Sequence, residues 1–139
     1  MTAPRPRLVV KATCGAPDSP TTSSDTDAGS DTGSVERLNQ ALTVAATAAA
    51  SGVEVSLWLT GDASWMAVPG RAERVELPHA APLRDLVDAV LATGTVTVCG
   101  QCAARRDLTE ADLIEGVVVR GAAAFVEEVM AEGVQALVY

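Results

Sequence analysis

Short runs of β-branched residues alternate with longer stretches at helical spacing along this chain, and that alternation limits the fold more than any other feature. Residues 7–12 (RLVVKA), 53–60 (VEVSLWLT), 95–99 (TVTVC), 117–119 and 134–138 read as strands. Between the first two, residues 35–51 place Leu38, Ala41, Leu42, Ala45 and Ala49 on one helical face, with Ser34 as N-cap and Gly52 as stop. A short helical piece is expected at 63–68, ended by Pro69-Gly70. A longer helix carries Leu83, Leu86, Val87, Val90 and Leu91 between Pro82 and Gly94. Residues 109–115 predict a short helix with Thr109 as cap and acidic residues in its first turn, and 122–131 predict another helix. Strands separated by helices pair in parallel through crossovers. The expected fold is therefore α/β, a three-layer α/β/α sandwich forming a single domain over residues 1–139.

Composition narrows the function. Of 139 residues, 48% are hydrophobic and 20% charged, enough apolar chain for a core. The aromatic residues are only Trp58, Trp65, Phe125 and Tyr139, so Val, Leu and Ala must build that core. Platforms for stacking nucleic-acid bases are missing. A net charge of -8 further disfavours nucleic acid and anionic membrane surfaces as partners. No apolar run has transmembrane length, and MTAPRPRLVV lacks the apolar region of a signal peptide, so a soluble cytoplasmic protein is expected. Residues 13–34 stand apart as a Ser/Thr/Asp-rich stretch. They carry Asp18, Asp25, Asp27 and Asp31 with no cation, and they read as a mobile acidic loop after the first strand.

The cysteines, Cys14, Cys99 and Cys102, are odd in number and do not suggest a disulfide framework. Cys99-Gly100-Gln101-Cys102 closes the third strand and leads toward a loop, with Arg105-Arg106 behind it. Backbone N–H groups and guanidinium charge in such a loop favour a nucleophilic thiolate. Reactive thiols, buried small side chains and metal ligands all remain open on this pattern. A closed zinc site needs four ligands, and the chain offers three cysteines and His79, which reads as an exposed loop residue. A thioredoxin-like dithiol fits poorly, because that motif opens a helix. Asp25, Asp27, Asp31 and Glu36 match the spacing of a calcium loop, but Ser30 stands at the glycine position and Gly29 at a ligand position. Phosphate-binding and dinucleotide glycine motifs are absent, Lys11 is the sole lysine, and a hydrolase triad has little support beyond His79. Cysteine chemistry survives the elimination.

The chain also resembles the DsrE/DsrF-like family of sulfur-relay proteins over nearly its full length. The resemblance lies in the Ala-rich helix ending Ala50-Ser51-Gly52-Val53-Glu54-Val55 and in Leu57-Trp58-Leu59-Thr60-Gly61-Asp62-Ala63. It continues through the apolar helix, Gly94 and the stretch from Val98 to Arg106. Members place a cysteine at the end of this strand, six residues before an Arg pair, as Cys99 and Arg105-Arg106 stand here. The resemblance implies a flavodoxin-like sandwich with a five-stranded parallel sheet, assembled as a homo-oligomer, trimer or hexamer. It implies sulfur transfer without a dissociable cofactor, and the ligand count above leads to no metal being expected. Cys99 would bear the persulfide and Cys102 would be a second thiol. Gly100, Gln101, Arg105 and Arg106 would stabilise the anion. The partners would be sulfur donor and acceptor proteins or low-molecular-weight thiols. Two alternatives are a dithiol redox protein using Cys99 and Cys102, and a non-catalytic oligomeric binding module on the same fold.

Overall fold

The computed structural model describes residues 3–16 and 28–139, with side chains from residue 32 onward in the second stretch. Five strands, β1 (Arg7–Ala12), β2 (Glu54–Leu59), β3 (Thr95–Cys99), β4 (Val118–Arg120) and β5 (Val134–Val138), form one sheet in the order β4-β3-β2-β1-β5. Every neighbouring pair is parallel. The helices are α1 (Ala28–Ala50), α2 (Leu83–Thr93), α3 (Gly100–Arg105) and α4 (Ala122–Val129), and short 3-10 turns lie at Gly61–Ala67, Ala72–Arg74 and Glu110–Asp112.

The strand order dictates which face each helix covers. From β1 to β4 the chain steps across the sheet in one direction, so right-handed crossovers put α1, α2 and α3 on one face. The step from β4 back past β1 to β5 reverses direction, which puts α4 on the other. Alternation along each strand then divides the side chains. Val10, Ala12, Val55, Leu57, Leu59, Val96 and Val98 meet Leu38, Leu42 and Ala45 of α1 and Val87 and Val90 of α2 in the main core. The opposite face carries Lys11, Ser56, Trp58, Thr97 and Arg120. There α4 lays Phe125 edge-on to Trp58, with ring centroids 5.3 Å apart. The sandwich is lopsided, since α4 has no fully buried residue. Trp58 and Trp65 are both buried.

The ends of α2 follow their sequence signals. Pro82 precedes it and Gly94 stops it, and a Cβ on Gly94 would fall on the Val55 carbonyl oxygen. The start of α1 differs from expectation. The helix begins at Ala28, so Ser34 is an interior residue and not a cap, and 28–34 are helical and not part of a loop. Residues 28–34 include two glycines and are poor helix formers on their own. Their helix is an extension of the buried Val35–Ala49 segment, because adding turns to an existing helix costs far less than nucleating one. Helix over Asp31 and Glu36 is also incompatible with a calcium loop. Residues 17–27, with Asp18, Asp25 and Asp27, lie outside the described residues.

Candidate functional site

In open α/β sheets, ligands bind outside the carboxyl ends of strands where successive connections leave to opposite faces. Here β3 leads into α3 on the core face and β4 leads into α4 on the other face. At this switch point Cys99 and Arg120 are register partners.

Cys99 ends β3 and is at once the N-cap of α3. Gly100 and Gln101 thus open a helix and not a loop, which corrects the expectation drawn from the sequence. The physical reason is that Ala103-Ala104-Arg105 are good helix formers, and buried Ala103 anchors the turn to the main core. The first N–H groups of a helix have no partner within it. Here those of Gln101 and Cys102 are close enough to the Cys99 side chain to favour its thiolate form.

The Cys99 thiol is consequently held below its ordinary value of 9.0. Partial burial pushes it up, but hydrogen bonds from the Cys102 N–H, the Cys102 thiol and the Gln101 N–H, together with the Lys11 charge, outweigh burial. Lys11 was not anticipated from sequence as part of this site. It lies level with Trp58, and Trp58 with Thr97, so Lys11 shares a sheet face with Cys99 one step beyond. A lone lysine inside an apolar strand was the available signal, but only the register reveals what it faces.

Cys102 is buried beneath Cys99 and accepts a hydrogen bond from the Gly61 N–H at 3.1 Å. Gly61 can approach because its backbone is left-handed (φ 53), and a Cβ there would lie 3.0 Å from the Thr13 carbonyl oxygen. Arg106 fastens the same corner, donating to Asp62 Oδ1 at 2.7 Å and to the Cys102 carbonyl at 3.0 Å. Its guanidinium is thereby committed to the frame of the loop. Arg105 is exposed. Gly100 passes close to β4, where a Cβ would meet the Arg120 carbonyl oxygen at 3.7 Å.

Arg120 donates to Thr97 Oγ1 at 2.8 Å and pairs with Glu128 of α4 at 2.8 Å. Glu128 also accepts from Ser56 Oγ at 2.7 Å and Trp58 Nε1 at 2.9 Å. Burial pushes the Glu128 carboxyl up, yet the hydrogen bonds from Trp58, Ser56 and Arg120 and the Arg120 charge hold it below its ordinary 4.5. Cys14 lies apart at the end of β1, where Arg37 approaches its sulfur at 3.8 Å. His79 is exposed in the connection before α2. Among the described residues, no three His, Cys, Asp or Glu side chains converge as a metal would require, and no helix is long and apolar enough to cross a membrane.

Residues 28–138 match the sequence model of the DsrE/DsrF-like family. Among solved structures, YchN from E. coli covers 95% of this chain and 99% of its own, at 17% identity and a TM-score of 0.58. The protein of unknown function MTH1491 from Methanobacterium thermoautotrophicum covers 96% and 99%, at 12% identity and a TM-score of 0.62. At these identities the likeness is one of fold. The search of curated proteins found no match.

Proposed function

Since this chain belongs to the DsrE/DsrF-like family, we propose that it is a sulfur carrier that accepts sulfane sulfur on Cys99 and passes it to a partner thiol. One observation carries the reading. Cys99 ends β3 as the N-cap of α3, at the carboxyl edge beside β4, and its thiol is held below its ordinary value. The Cys99 thiolate attacks the outer sulfur of a donor persulfide, forming a new S–S bond. The old S–S bond breaks, and its electron pair leaves on the donor thiolate. A partner thiolate then attacks the terminal sulfur of Cys99–S–SH and regenerates the Cys99 thiolate. The N–H groups of Gln101 and Cys102 stabilise both sulfur anions. Arg106 contributes by fixing the end of α3 through Asp62. The donor and acceptor are proteins or small thiols, and the free cysteines suit a reducing compartment such as the cytoplasm.

A second reading is favoured by the Cys102 thiol, which lies near enough to Cys99 to lower its thiol. Cys102 attacks the inner sulfur of the persulfide, giving a Cys99–Cys102 disulfide and releasing hydrogen sulfide. Mass spectrometry after treatment with a persulfide donor tests both. The carrier reading expects one extra sulfur atom on Cys99, absent in Cys99→Ser. Free sulfide and a disulfide, both lost in Cys102→Ser, would mark the resolving reaction. An unchanged mass at Cys99, with no disulfide, would sink both.

We further propose that the chain works as a homo-oligomer, a trimer or hexamer. Val126 and Met130 of the α4 region and Val138 of edge strand β5 support this, being 54%, 77% and 64% exposed on the thinly covered side of the sheet.

A further inference from the structure

We propose that Lys11 is a positioning residue of this site: its ammonium, laid over the Phe125 ring on the sheet face that ends in Cys99, holds the sulfur anion at Cys99. The inference deepens the carrier reading for the persulfide, but its thiolate half stands on geometry alone. Lys11 and Thr97 lie two strands apart at one level, and Cys99 is the next residue on that face. A strand spacing of about 4.8 Å and a rise of about 3.3 Å per residue put the Lys11 and Cys99 Cα atoms roughly 12 Å apart, and a lysine side chain spans about half of that.

Two other cations at this corner are already paired, and Arg105 of α3 is exposed. Arg120 on β4 is paired with Glu128 of α4, and Arg106 on the α3 side is paired with Asp62 after β2. Among the described residues no carboxylate pairs with Lys11, whose ammonium sits 5.0 Å from the centroid of Phe125. A ring face is a weak substitute for water and leaves the charge free to act along the sheet. The chain has no second lysine to take its place.

The test is the rate at which iodoacetamide modifies Cys99 across a pH series, with the site resolved by tandem mass spectrometry. In Lys11→Met the midpoint should move to higher pH, with modification at neutral pH slowed roughly three- to tenfold. Lys11→Arg should restore the wild-type profile, because it returns the charge. Should Lys11→Met fail to fold, Lys11→Gln is read in the same way. An unchanged midpoint in the neutral variant, or an equal shift in Lys11→Arg, would overturn the proposal. The readout needs no persulfide, so Cys99 that takes up no sulfur yet responds to Lys11 would refute the carrier reading alone.

Discussion

Cys102 lowers the Cys99 thiol through both its own thiol and its backbone N–H, and a side-chain substitution removes only the first. Cys102→Ala should therefore raise the Cys99 midpoint while the N–H donors keep part of the depression. Thiolate absorbance against pH reads this directly. Arg106 serves the corner differently. Its side chain is 17% exposed and that of Asp62 31%, so Arg106→Gln removes a mostly shielded charge partner. The expected cost is about 1–3 kcal/mol, measured from the urea midpoint at constant slope. Cys99 was legible because a thiol closing an apolar run sits at the ligand-bearing edge of any parallel sheet. Lys11 was visible as a residue but not as a partner, since two strands of register separate it from Cys99.

At the scale of elements, α4 hangs on Glu128 and Phe125 with no fully buried residue of its own. The Glu128 carboxyl is depressed in the folded protein, so its stabilising contribution is present above the ordinary value of 4.5. It is lost as pH falls through the lower folded value. Acidification below 4.5 should loosen α4 first, and Glu128→Gln should flatten that limb of a stability–pH curve. At the other face, Gly94 lets α2 turn into β3 against the Val55 carbonyl. Gly94→Ala should cost about 1–3 kcal/mol in thermal or urea unfolding, because backbone must move to admit the methyl group. Strand positions were readable from β-branched runs and α2 from its Pro and Gly borders. The beginning of α1 was not, since local propensity argues against helix before Val35 and only the buried segment behind it extends the turns. Likewise, Gly100-Gln101 reads locally as a loop, and the anchoring of Ala103 in the core makes it a helix.

For the whole molecule, the reversal of direction after β4 explains both the switch point at Cys99 and the thin cover over the second face. If copies associate there, light scattering should give a mass that is a multiple of 14.2 kDa. Val126→Glu with Met130→Glu should then reduce it to that of one chain; a wild-type monomer would refute self-association. Parallel sheet and helix layers were foreseeable from the alternation of elements. Strand order was not, because periodicity does not say on which side of β1 the last strand docks. The two tryptophans fall on opposite sides of that sheet. Trp65 lies in the main core with the Arg71 guanidinium 4.7 Å from its ring centroid, while Trp58 donates to Glu128 beneath α4. Each layer thus contains its own fluorophore. In Trp65→Phe, the remaining indole should shift to the red as α4 departs in acid, at a pH where Trp58→Phe still emits as a folded protein.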